Sequence, residues 1–216
     1  MQHLYSIALT VVGLAGLGQA ALAHPHVFVD GGVDFVMADD STLAALSVTW
    51  LYDEFETLYD LSSRGIDLPA DGTLSNADRE TIRAAYSVWP DDFDGSAHLT
   101  IDGERIEMDW PSDLAVDLID GRLQLVFRRN LPVPIDLSGK TVESAFYERT
   151  YFFAFQITDP PTFIGPSTCE ARLIPYAPDS QSAAAQDSLA MLGREETPAI
   201  ADVGRLFADR IVVACE

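Results

Sequence analysis

The amino-acid sequence predicts an α+β fold: an antiparallel β-sheet body, packed as a sandwich, carrying a two-helix insertion near residues 53–89. Three observations lead there. Short runs rich in Val, Phe and Leu recur from residue 26 onward, separated by turn dipeptides such as Asp102-Gly103 and Asp120-Gly121. Between residues 53 and 89 the apolar period becomes helical, with capping residues at Asp53 and Ser75. The two cysteines, Cys169 and Cys215, both fall late in the chain, where a disulfide would tie the last strand to the body.

In chain order, residues 7–18 form an apolar run too short and too Gly-rich to span a bilayer. Ala21 and Ala23 then stand at the −3 and −1 positions of a signal-peptidase site. The expectation is an exported, periplasmic chain, cut after Ala23, whose single domain covers residues 24–216. Such a cut leaves His24 first, offering its α-amine and ring Nδ1 to one metal ion. His26 adds a second imidazole one pleat on, roughly 6–7 Å along an extended strand, and imidazole suits zinc, copper, nickel and iron. Pro25 has no backbone N–H, so a square-planar mode through a deprotonated amide is blocked. A brace of amine, His24 ring and His26 remains. The same histidines also read as exposed residues at the start of a strand.

Residues 26–37 read as a first strand and Leu43–Tyr52 as a second, joined by the turn Ala38-Asp39-Asp40-Ser41. His26, Phe28 and Asp30 share a face, but His26 and Asp30 are about 13 Å apart and cannot hold one ion together. Asp53 is expected to cap a helix, with Glu56 completing a capping box and Phe55, Leu58 and Tyr59 on the buried face. Caps account for Asp53 and Glu56 without an ion. Asp53 and Glu54 are nonetheless the carboxylates at the strand-to-helix corner that would complete a His24/His26 metal shell.

Residues 67–78 follow the pattern of a twelve-residue calcium loop. Asp67, Asp71, Ser75 and Asp78 fall on ligand positions, Thr73 on the carbonyl position and Gly72 on the glycine position. Pro69 brings no oxygen where one is needed, and Asp78 is shorter than the usual bidentate Glu. The segment therefore reads as a degenerate calcium loop that serves as a turn, with Ser75 and Asp78 forming a helix cap. Ile82, Ala85, Tyr86 and Trp89 make a helical stripe that ends before Pro90, and Asp91-Asp92-Phe93-Asp94-Gly95 reads as a turn. Strands are expected at 97–102, 104–109, 113–119 and 122–129, then at Thr141–Phe146, Tyr151–Ile157 and Cys169–Pro175. A polar, Ala-rich stretch over 178–199, read as a surface loop or short helix, a helix at Ile200–Ala208 and a final strand Arg210–Cys215 opposite Cys169 follow. His98, alone in a strand, reads as structural or exposed.

The formal charge of −21 repels nucleic acid, whose binding rests on Lys and Arg at phosphates. No stretch after the signal is long and apolar enough to span a membrane. No Gly-rich phosphate loop, nucleophile motif or internal repeat is present, so nothing supports an enzyme of those kinds.

Five ordered segments resemble one family: His24-Pro25-His26-Val27-Phe28-Val29-Asp30, Trp50-Leu51-Tyr52-Asp53-Glu54-Phe55, the calcium-like loop, the run from Glu148 to Phe155, and Leu206-Phe207-Ala208-Asp209-Arg210-Ile211-Val212-Val213. It is the domain of unknown function 1007 family, described as periplasmic components of a nickel/cobalt-type transport system. This chain departs from the family at Pro69, where the calcium-like loop normally keeps an acid. The resemblance implies a periplasmic, metal-related transport accessory; with the terminal histidines, the expectation is a protein that binds a divalent transition metal (nickel, cobalt, zinc or copper) and passes it to, or senses it for, a membrane metal transporter. The alternatives are a metal-free interaction module scaffolding a transporter, and a histidine-brace copper oxidase, for which His98 is the one further imidazole.

Overall fold

The computed structural model describes residues 25–89, 93–193 and 196–215. The expected signal segment, its cleavage point, His24, and Asp91 and Asp92 lie outside the described residues. The chain is α+β. It opens on a long hairpin of β1 (Val27–Met37) and β2 (Thr42–Tyr52), followed by two helices, α1 (Glu54–Ser63) and α2 (Asn76–Ala85). Strands β3 (Ala97–Ile101), β4 (Glu104–Ile106), β5 (Ser112–Ile119), β6 (Arg122–Asp136), β7 (Val142–Phe146), β8 (Phe153–Ile157), β9 (Phe163–Ile164) and β10 (Cys169–Ile174) follow. A third helix, α3 (Ser180–Leu189), a 3-10 turn over Val203–Phe207 and β11 (Asp209–Cys215) close the chain.

These strands form two sheets. One runs β5-β6-β2-β1-β8, with β9 also pairing β1; the other runs β10-β11-β7-β3-β4. One apolar core takes side chains from both, among them Val48, Leu125 and Phe127 from the first and Leu99, Phe146 and Ile211 from the second. Phe146 and Phe155 meet across the sheets with ring centroids 4.7 Å apart. The body is not wholly antiparallel, because β1 pairs in parallel with both β8 and β9. Flanked on both edges, β1 buries nearly its whole length, as a central strand does. The turns at Asp102-Gly103 and Asp120-Gly121 have positive φ at both residues, the geometry of the tight hairpins that those dipeptides favour.

The helical insertion lies where expected but is rotated. Phe55, Leu58 and Tyr59 face solvent at 75%, 51% and 62% exposure, and α1 instead buries Thr57, Asp60 and Leu61. The cause is polar. Thr57 Oγ1 accepts the Leu123 backbone N–H at 2.9 Å, and Asp60 accepts from Arg64 at 2.5 Å and from the Tyr86 hydroxyl at 2.9 Å. The inward stripe of Thr57, Asp60, Leu61 and Arg64, at i, i+3, i+4 and i+7, thus holds one apolar residue among polar anchors. Burial holds the Asp60 carboxyl above its ordinary value, against the pull of Arg64. On α2 only Ile82 is fully buried and Ala85 is exposed. The helix ends at Ala85, and Trp89 packs beyond it, stacked on Phe93 at 4.1 Å.

Other elements differ from expectation: β4 ends at Ile106 rather than at 109, and β8 begins at Phe153 rather than Tyr151. Strand β6 continues to Asp136, Phe163–Ile164 adds a short strand, and the expected last helix is a 3-10 turn of five residues. Among the described residues no helix is long and apolar enough to cross a membrane.

Cys169 and Cys215 form a disulfide across directly paired positions of β10 and β11, 46 residues apart in sequence. Closing such a loop stabilises by about 4 kcal/mol in the chain-entropy model. Replacing both cysteines by serine should lower unfolding stability by up to about that amount while preserving the far-ultraviolet circular dichroism, since the rest of the core does not depend on the bond. Denaturant titration of the two proteins, with and without reductant, checks this.

Candidate functional site

Two places carry chemistry: the start of β1, where sequence placed a metal, and a cleft at the β3–β4 side that sequence reading passed over.

At the first, the His26 N–H donates to the Phe152 carbonyl at 2.9 Å, and its ring packs on that of Phe152 at 4.7 Å. The histidine therefore sits beside the parallel strand β8 rather than fraying from β1. The β1/β2 register, with Val29 opposite Tyr52, carries the Asp53–Glu54 corner to the same end of the sheet. Asp53 is a double staple. Its Oδ2 accepts the Phe28 N–H at 3.0 Å and its Oδ1 the Glu56 N–H at 2.8 Å. Its own N–H goes to the Phe28 carbonyl at 3.0 Å. That last bond replaces the return half of the expected capping box: Glu56 does not reach back to the cap. Glu54 is exposed in the first helical turn, and among the described residues no hydrogen bond or ion pair engages its carboxylate. Asp30 is paired with Arg122 at 2.8 Å.

The calcium-like loop is organised by its own hydrogen bonds. Asp71 Oδ1 accepts the Thr73 N–H at 3.0 Å. Ser75 Oγ accepts the Asp78 N–H at 3.1 Å and donates to Asp78 Oδ2 at 2.6 Å. Gly72 takes φ +69 and Asp67 is exposed. Among the described residues, to which His24 does not belong, no group of three His, Cys, Asp or Glu side chains is gathered in metal-binding geometry.

The second place is a cleft of about 420 Å³ lined by Asp94, His98, Arg105, Arg129, Trp110 and Arg149 among others. His98 is buried and stacked on Tyr147 at 3.9 Å. Arg105 donates to its Nδ1 at 2.7 Å, so Nε2 carries the proton and donates to the Tyr147 carbonyl at 3.0 Å. Both ring nitrogens are thus committed in the neutral form. Burial lowers the His98 pKa below its ordinary 6.5, and Arg105 adds to this, while Asp94 opposes it. Arg149 lies 3.6 Å from Asp202, which also accepts the Tyr147 hydroxyl at 3.0 Å. A neighbouring cleft of about 450 Å³ shares Phe93, Asp94 and Arg149 with the first and reaches Phe152 and Phe153. The two candidate places are therefore linked along one side of the molecule.

The other motif acids hold backbone. Glu148 accepts from the Thr150 N–H at 2.7 Å and the Phe152 N–H at 2.9 Å. Buried Asp209 accepts from the Ile157 N–H at 2.8 Å and the Tyr176 N–H at 2.7 Å, tying β11 to the first sheet. No sequence signal marked the arginine cleft, because its members are far apart in the chain.

Asp53→Ala should cost about 1–2 kcal/mol, the upper part of the range for a helix cap, because it also frees the Phe28 N–H; chemical denaturation measures it. His98 gives a pH prediction of definite sign. The unfolded chain takes up the proton first, so the stability from neutral His98 is complete above pH 6.5 and is lost as pH falls through the lowered folded value. His98→Gln should flatten the fall of the melting temperature between pH 7.5 and 5, roughly the range of histidine titration.

No curated protein and no solved structure matches the chain. A family model matches residues 9–215, nearly the whole chain, including all the strands, helices and both candidate places just described. The chain belongs to the family described as "Protein of unknown function (DUF1007)".

Proposed function

We propose that this protein is a periplasmic, non-enzymatic accessory of a transition-metal transport system, of the nickel, cobalt or zinc type, and that it binds its ion at a His24-Pro25-His26 terminus. The observation that supports this best is the register of β1 on β2. It puts Glu54, exposed and unengaged among the described residues, at the same end of the sheet as His26. A terminal amine with the His24 ring, the His26 ring and one carboxylate is a donor set suited to borderline divalent metals. Asp53 serves this reading indirectly: both its oxygens hold backbone N–H groups, so it steadies the corner from which Glu54 projects. The formal net charge of −21 would raise the local cation concentration.

One observation favours a second reading, a metal-free module that scaffolds a transporter. Phe55, Leu58 and Tyr59 present a large apolar face on α1, and exposed patches of this kind mark interaction sites. The two readings separate on metal content.

Calorimetric titration with nickel and zinc should be made on protein bearing a free His24 and on protein carrying one extra residue before it. Stoichiometric binding that weakens at least about tenfold on extension, as loss of one ligand requires, supports the terminal brace. Equal binding by both moves the site to side chains alone, with Glu54→Gln testing the carboxylate. Absence of binding by either protein sinks the metal reading and leaves the scaffold.

A further inference from the structure

We propose that the cleft between Arg105, Arg129 and Arg149 binds a small organic molecule that presents one carboxylate beside a flat or apolar body. The chain has 13 basic residues against 34 acidic ones, yet three arginines from separate segments, β4, β6 and the loop after β7, converge on this one cleft. Like charges are not brought together without something to offset them.

The pairing of those charges shows what is missing. Arg105 lies 3.5 Å from Asp94 and Arg149 lies 3.6 Å from Asp202. Arg129, only 6% exposed, meets backbone instead: its Nε donates to the Asp109 carbonyl at 2.7 Å, its Nη2 to Met108 at 3.4 Å, and its Nη1 to Asp94. Among the described residues no carboxylate lies within ion-pair distance of it. Of the five N–H donors of a guanidinium, those three are committed and two are left. Burial lowers the Arg129 pKa and Arg105 adds to this, while the more distant carboxylates of Asp94, Glu107 and Asp109 oppose it.

The site is built rather than incidental. Gly95 has φ +70, and a Cβ there would fall on the Arg129 guanidinium, so glycine both makes the turn and clears the space that Arg129 fills. Neutral His98, with Nδ1 accepting from Arg105, holds that second arginine in place. A planar guanidinium held in this way suits a carboxylate, which it can grip with two parallel N–H donors. The lining is chiefly polar, with Glu107 and Asp94 beside the arginines, but Trp110, half exposed, with Phe93 and Met108, gives the cleft one apolar side. That side favours a carbon skeleton, best a ring, over a bare inorganic oxyanion. Arg129, the one of the three arginines without an ion pair among the described residues, is the cation that would take that carboxylate.

The test is nuclear magnetic resonance of the mature chain at pH 7 and constant ionic strength, titrated separately with benzoate, acetate and inorganic phosphate. The Trp110 indole and the arginine Nε–H signals are the readout. Saturable shifts with benzoate are expected, with acetate weaker by roughly tenfold for want of the ring contact. R129K, which keeps the charge but loses the two-donor fork, should weaken benzoate by about tenfold, the effect of losing a charge-assisted bond, with the amide spectrum otherwise unchanged. W110A should bring benzoate down to the affinity of acetate. Lack of saturable shifts with all three probes overturns the proposal. Phosphate binding as tight as benzoate overturns the assignment to a carboxylate with an apolar body. Unchanged benzoate affinity in both variants overturns the location. Neither the probes nor these variants touch His24, His26 or Glu54, so the outcome is independent of the metal reading.

Discussion

Trp50 is where the architecture is joined. It lies buried on β2, and its indole packs against Phe127 of β6 at 5.4 Å and Phe155 of β8 at 5.3 Å. It also meets Trp89 at 6.3 Å and Phe93 at 5.8 Å, the residues that end the helical insertion. Aromatic contacts of this kind add to the ordinary benefit of burying large apolar area. One side chain thus connects the first sheet, through Phe155 and Phe146 the second, and the point at which the chain returns from its helices. The segment that returns there delivers Asp94 and Gly95 to the arginine cleft, so the cleft depends on this aromatic cluster for its shape.

An acidic chain must also dispose of its carboxylates, and this one uses several as acceptors for backbone N–H groups. Asp53, Glu148 and Asp209 each hold two such groups from separate positions. Charge-assisted bonds of this type are about twice as strong as neutral ones. They fix corners that strand pairing alone leaves open: the turn from β2 into α1, the loop before β8, and the place where β11 meets the first sheet. Arg122 complements them, bonding the Tyr52 and Leu51 carbonyls at 2.6 and 3.0 Å while pairing with Asp30. The corner beside His26 is consequently a rigid one. A metal shell there would draw on Glu54 and the terminus rather than on residues already holding the fold.

The two candidate places divide the chemistry by charge type. At the start of β1 are imidazole and carboxylate, groups that take cations. In the cleft are guanidinium groups and an indole, groups that take organic anions. They adjoin through Phe93, Asp94 and Arg149, which line both neighbouring clefts.

Much of this was legible locally. Alternation and turn dipeptides located the strands, because a pleat repeats every two residues and Asp-Gly suits two successive positive φ values. Asp53 and Ser75 announced their helices, because an N-cap acts within three residues. The cysteine pair and its register across β10 and β11 followed from composition and the final apolar run. The face of α1 did not, since Thr57 and Asp60 turn inward to meet Leu123 and Tyr86, partners 66 and 26 residues away. The parallel pairing of β1 with β8 was equally hidden, for period shows a strand but not its neighbour. The proposed metal ligands His24, His26, Asp53 and Glu54 could be nominated because they are close in sequence or at an element boundary. Arg105, Arg129 and Arg149 could not, because isolated arginines in an acidic chain carry no local signal. Sequence by itself therefore determined most of the elements, the caps at Asp53 and Ser75 and the disulfide, all short-range consequences of residue type. Tertiary structure alone decided which face of α1 is buried and which arginines share a cleft, because both depend on partners that only folding brings within hydrogen-bonding distance.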